Sequence, residues 1–466
     1  MGDFCGGEGA AMIGGHKDNR LIVGRRLWWP VFGPADSHLV CLGPPGYFKT
    51  SSLLVPNILY AKTASVIAAS SKPDLMAATY EYRKTLGPVY CADFRPVEYE
   101  LPEGVIPCRY NPIHACADWE RAMQVAKSMT TTARTANSNE SFFQGMAGSA
   151  LASLMYASAS AEPPRPFAEV LEWAKTRDLA FAKKILPTAP HGLEALQQLA
   201  VIENGSPVTT AGIWQSVSFA TGAYAGRLLR DTAGNFDPAC LVPGKDGSVS
   251  TLYIICPSDS PGQSAGAIVS ALISENYEAL KHATELNGGK AVGRTLYVAD
   301  ECARVAPLEK MPGILGQGRY LGLSVLLASQ SFSDLKERWG TESQSLLDNA
   351  RTRVITGGLA DAEILSLLST ISGRRKQHDK TGKGHATYVP RYSQDSISHL
   401  RKGKVLVFDG RPARLLNVAY PKRIECLRRL GETPAQRLRR EITILGLTVV
   451  IVAVVAMILL MHLHLR

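Results

Sequence analysis

No two of the nine cysteines stand in Cys-x-x-Cys spacing, so the chain offers neither a zinc ribbon nor a dithiol redox motif. Several sit inside apolar runs, as in Val40-Cys41-Leu42 and Ile255-Cys256. They read as reduced thiols packed like small hydrophobes, not as a disulfide framework. Between Met1 and His16 the chain is Gly-rich and lacks a charged segment followed by an apolar block, so no secretory signal is read there. No fixed-period repeat is visible either.

The hydrophobic fraction of 45% is too high for a disordered chain, and 466 residues are too many for one ordinary domain. Two or three folded units are expected. The net charge of +10 suits nucleic acid or an anionic membrane surface without choosing between them.

Short apolar, β-branched runs recur with helical stretches between them, the pattern of a parallel α/β sheet. The clearest are His38–Leu42, Ser65–Ala69, Val89–Ala92, Thr251–Cys256, Thr295–Ala299, Val325–Ala328, Arg353–Thr356 and Lys404–Phe408. Between about Asp118 and Leu229 the strand signal fades, and Ala, Leu and Met recur at helical spacing, as in Gly145–Tyr156 and Phe167–Leu186. This predicts an all-α domain inserted into the α/β domain, with a loop over Ala161–Pro166. From Ile442 to Met461 twenty residues carry no charge. As a helix they span about 30 Å, the thickness of a bilayer core. Arg428, Arg429, Arg437, Arg439 and Arg440 precede them, so the positive-inside rule leaves everything before them in the cytosol.

Two motifs carry chemistry. Gly43-Pro44-Pro45-Gly46-Tyr47-Phe48-Lys49-Thr50-Ser51 follows one apolar run and opens a helix. That is the setting of a phosphate loop: backbone N–H groups cradle phosphate oxygens, Lys49 reaches the β- and γ-phosphates, and Thr50 ligates magnesium. Phe48 stands where a glycine is usual, narrowing the loop's freedom. The second is Thr295–Glu301, an apolar run ending in Asp300-Glu301. Alone the pair reads as a solvated strand end. Together with the loop it reads as a metal-side aspartate and a glutamate that orients or deprotonates water. Gln330 ends another apolar run and suits γ-phosphate sensing, or simply caps the strand. Arg319, in Gly316–Gly322, is placed either to serve a neighbour's phosphate or to form a surface salt bridge.

These residues resemble the TraG-type coupling proteins of type IV secretion and conjugation, RecA-like and FtsK-related ATPases, from about Leu21 to Tyr420. Leu21–Arg25, Ser71-Lys72-Pro73-Asp74, Tyr110-Asn111-Pro112-Ile113, Asp300–Ala303, Gly318–Ser331, Asn349–Arg353 and Gly403–Val407 fall in the family's order. The resemblance implies ATP and Mg2+ as ligands. Gly43 to Ser51 would be the Walker A loop, Thr50 and Asp300 the metal ligands and Asp300-Glu301 the Walker B pair. Glu301 would be catalytic, Gln330 the sensor and Arg319 a finger acting in trans. The implied assembly is a homo-hexamer around DNA bound without regard to sequence. Its partners would be a relaxase or nucleoprotein cargo, secretion-channel proteins and the membrane.

The expected fold class is therefore α/β, a RecA-like P-loop NTPase domain with an inserted all-α domain and a C-terminal transmembrane helix. Its expected parts are a flexible 1–19, the nucleotide-binding domain at 20–117 and 230–420, and the all-α domain at 118–229. A basic connector at 421–440 and the span at 441–463 complete it. The implied function is a bacterial cytoplasmic-membrane ATPase that recruits DNA or nucleoprotein and moves it into a secretion or conjugation channel. A weakly hydrolysing docking receptor, favoured by Phe48, and an FtsK-like DNA pump are the other readings.

Overall fold

A computed structural model describes residues 20–26, 29–95, 99–131, 140–222, 234, 236–256, 265–377 and 387–418. Its strands in chain order are β1 Arg20–Arg26, β2 Trp29–Ala35, β3 Leu39–Leu42, β4 Ala64–Ser70, β5 Val89–Asp93, β6 Val105–Pro107 and β7 Thr251–Ile255. They continue with β8 Arg294–Ala299, β9 Leu323–Ser329, β10 Thr352–Thr356, β11 Arg374–Gln377, β12 Thr387–Pro390, β13 Lys404–Phe408 and β14 Arg414–Asn417. Each of the eight apolar runs named above forms a strand. β3, β4, β7 and β9 are buried at every position, as strands covered on both faces must be.

Twelve strands form one sheet in the order β2-β1-β14-β13-β10-β3-β9-β8-β4-β7-β5-β6, and β11 and β12 pair apart from it. From β10 to β6 all pairings are parallel. On the other side β13, β14, β1 and β2 pair antiparallel, so the sheet is mixed where a parallel one was expected. For two of these four pairings the cause is connection length. Two residues separate β1 from β2 and five separate β13 from β14, too few for the crossover a parallel pair needs.

Between β6 and β7 the longer described elements are all α-helices: Trp119–Thr130, Glu140–Ala159, Phe167–Thr176, Ala180–Ile185, Gly192–Glu203 and Pro207–Thr221. The first starts on Asp118, whose side chain accepts from the Arg121 N–H, and turns Ala122, Val125, Ala126 and Met129 inward at helical spacing. The stretch Phe167–Leu186, read as helical spacing, forms two helices separated at Arg177, which adopts φ +58. Tyr110 donates to the buried Glu275 of the helix Gly266–Leu286. Burial pushes that carboxyl up to about 7. Asn111 caps the short turn Pro112–Ala117, so the Tyr110–Ile113 motif has a structural job where the helices begin.

The chain divides into units 1–419 and 420–466. The expected transmembrane helix does not stand. Among the described residues no helix is long and apolar enough to cross a membrane. The stretch 441–463 lies outside those residues, as do 1–19 and 421–440. The two longest described helices are not such spans. Gly266–Leu286 carries Glu275, Glu278, Lys281 and Glu285, and Glu140–Ala159 is built largely of Ala, Ser and Gly. The fold class is corrected to α/β with a large mixed sheet, and the expected localisation at the bacterial cytoplasmic membrane through a C-terminal span loses its support.

Candidate nucleotide site

Parallel strands leave their carboxyl ends on one edge, where open α/β sheets bind ligands. In register, Leu42 faces Ser329 of β9 and Ile355 of β10, while Ala299 faces Leu327 of β9 and Ala69 of β4. The residues that follow, Gly43, Gln330, Asp300 and Thr356, therefore gather at a single edge. The Gly43 N–H donates to the Ser329 carbonyl at 3.2 Å, and the Asp300 N–H to the Ala69 carbonyl at 2.9 Å.

Gly43 is required by close approach. A Cβ there would stand 1.6 Å from Thr356 Oγ1. The loop then turns through Pro45 and Gly46 to Phe48, which adopts φ +61. That is the left-handed conformation a glycine takes at little cost and a phenylalanine takes at about 1–2 kcal/mol. The residue is 39% exposed. Phe48 thus follows a path suited to glycine and carries its side chain toward solvent.

The helix after the loop runs from Thr50 to Tyr60, with a widened first turn over Thr50–Leu54. The widening sits just before Pro56, which has no N–H to offer the Ser52 carbonyl. Lys49 is buried, and its ammonium donates to the carbonyls of Gly43 and Pro44, the latter at 3.1 Å. Ser51 is half-buried one residue beyond Thr50.

The carboxylates meet this loop directly. Thr50 Oγ1 donates to Asp300 Oδ2 at 2.5 Å, and Gln330 Nε2 donates to Glu301 Oε1 at 2.7 Å. Burial holds the Asp300 carboxyl above its ordinary value. The Thr50 hydrogen bond and the Lys49 charge oppose the rise, and the charges of Asp74 and Glu301 add to it. Glu301 adopts φ +53, a strained backbone of the kind that collects at functional sites. A hydroxyl and a carboxylate in contact are the hard oxygen donors that suit Mg2+, and a lysine inside a helix-opening loop suits phosphate.

One expected member stays away. Arg319 lies in the turn Gly318–Leu321, ahead of β9, and is exposed. It is separated from Gln330 by the length of that strand, about 20 Å for seven residues. Beneath it is a residue the sequence did not mark. His38 is fully buried, its Nδ1 accepts from the Val325 N–H at 3.1 Å, and burial, then the Arg319 charge, lower its pKa to about 4. The imidazole there is neutral at pH 7.

Residues 294–407 match the family model described as the TraM recognition site of TraD and TraG. Among solved structures, the unbound monoclinic form of the bacterial conjugative coupling protein TrwBdeltaN70 superposes with a TM-score of 0.66 at 16% identity, covering 87% of this chain and 90% of that one. TrwB in complex with the non-hydrolysable ATP analogue ADPNP gives 0.61 at 15% identity, covering 83% and 86%. TrwB with ADP and Mg2+ gives 0.59 at 15% identity over the same shares. No curated protein matches by sequence. The resemblance to TraG-type coupling proteins is borne out, and the fold is the one seen in the TrwB structures.

Proposed function

We propose that this chain is a coupling ATPase of a conjugation or type IV secretion system, which binds MgATP at the sheet edge and uses its hydrolysis to move DNA or nucleoprotein. The observation that carries this reading is the pair of contacts Thr50–Asp300 and Glu301–Gln330 beside the buried Lys49. Lys49 exchanges the Gly43 and Pro44 carbonyls for phosphate oxygens. Thr50 and Asp300 hold the magnesium, which when bound neutralises phosphate charge. Glu301 orients the attacking water and accepts its proton, and Gln330 fixes the Glu301 carboxylate. Arg319, facing outward, serves a neighbouring copy in a hexameric ring.

The region matched to a TraM recognition site spans β8 to β13, so a partner engaging it touches the body that holds Asp300 and Glu301. The helical segment, 118–229, is the cargo-facing module in this reading, and the net charge of +10 favours DNA held through its phosphates. The test is ATP hydrolysis by the full chain with and without DNA. Hydrolysis that DNA stimulates and that Lys49→Ala reduces to background is expected. No hydrolysis in either condition, with Lys49→Ala indistinguishable from the parent, rules the reading out.

The weakly hydrolysing docking receptor makes a different forecast for Phe48. Since Phe48 already follows a path suited to glycine, Phe48→Gly is expected to change kcat by less than about threefold, a barrier change below 1 kcal/mol. A large rise in kcat on that substitution favours the receptor.

A further inference from the structure

β13 pairs antiparallel with β10, with Val405 opposite Thr356. The residues just before β13 therefore stand at the same edge as those just after β3 and β10. There the chain crosses itself closely. The Gly358 N–H donates to the Ser398 carbonyl at 2.7 Å. A Cβ on Gly357 would lie 2.0 Å from the Leu400 carbonyl oxygen, and one on Gly358 only 2.8 Å from Pro44 Cγ and 3.0 Å from the Tyr47 hydroxyl. The two glycines are thus the thin wall between the phosphate loop and the segment 398–403.

That segment brings a second lysine to the loop. Lys402 Nζ is 5.6 Å from the centroid of the Tyr47 ring, and 4.0 Å from the point where a Cβ on Gly46 would stand. Lys49 is buried against the Gly43 and Pro44 carbonyls, while the exposed Lys402 lies beside the exposed apex at Gly46 and Tyr47. A phosphate chain cradled by the loop would meet Lys49 from within, and a cation over the apex would add a second positive charge from the loop's other side.

We propose that Lys402 is a second phosphate-contacting cation of this site, acting within its own chain on the terminal phosphate of ATP. The inference rests on the nucleotide reading above and adds to it a residue that distinguishes triphosphate from diphosphate. An ammonium on one terminal phosphate is a charge-assisted contact. Lys402→Met in the full chain is therefore expected to weaken binding of a non-hydrolysable ATP analogue with Mg2+ by roughly tenfold. ADP binding should stay within about twofold, and Lys402→Arg should restore most of the loss. Lys402 is exposed, so the melting temperature should not move, and a variant that melts early is replaced as evidence by the arginine variant.

Two results overturn the proposal alone: a parent that binds both nucleotides with Lys402→Met unchanged, or a variant that loses analogue and ADP equally. The second outcome makes the lysine a prop for the Tyr47 ring. A parent that binds neither nucleotide, with Lys49→Ala behaving identically, ends the nucleotide reading and this inference with it.

Discussion

Glu301→Gln is expected to lower ATP hydrolysis roughly a hundredfold or more while leaving ATP binding within about threefold of the parent. The reason lies in what the substitution keeps. Glu301 Oε1 accepts from Gln330 Nε2 at 2.7 Å, and a glutamine can offer its amide oxygen to the same donor. Side-chain position and the φ of +53 are retained, and Lys49, Thr50 and Asp300 are untouched. What disappears is the negative charge and the capacity to take a proton from water. Single-turnover hydrolysis beside equilibrium binding separates the two effects. Parent-like hydrolysis by the variant reduces Glu301 to a strand-end residue and moves the chemistry elsewhere.

Gly43→Ala should be the most damaging small substitution in the loop. Its methyl group would stand 1.6 Å from Thr356 Oγ1 and 2.8 Å from Thr356 Cβ, distances no rotamer change can relieve in full. Either β3 and β10 part or the loop lifts from the sheet edge, at a cost of about 3 kcal/mol. Both responses displace Lys49 and Thr50, so nucleotide binding should fall with the melting temperature. Because the obstacle is one side chain, Thr356→Gly in the same chain should recover part of the lost stability. A Gly43→Ala protein that melts and binds like the parent refutes the close approach.

The central strands were legible because burial on both faces demands unbroken apolar runs, and β3, β4, β7 and β9 have them. β1 buries only the short run Leu21-Ile22-Val23 and Gly24 between Arg20 and the pair Arg25-Arg26, and β11, Arg374–Gln377, is exposed throughout and has no hydrophobic signature. Strand polarity is not written in hydropathy at all, which is why the sheet's antiparallel side escaped notice. The same gap hid Lys402. Its place at the site edge follows from the direction of β13, and nothing in Arg401-Lys402-Gly403 announces a phosphate.

Within the site the picture is similar. Strand ends are readable from runs that stop, so Lys49, Thr50, Asp300, Glu301 and Gln330 were found together. The left-handed backbone of Phe48 was not, because a phenylalanine's intrinsic preference points the other way. His38 looked like part of an apolar run, and only the fold puts it beneath Arg319.

Arg319 lies a full strand away from the loop that carries its own Lys49, so a guanidinium there would have nothing to contribute to a nucleotide held by that lysine. In the proposed reading every catalytic event then needs two molecules, and turnover becomes a census of how many copies stand together. A chain spread thinly would hold its ATP and wait. The same chain crowded at one place would begin to spend it.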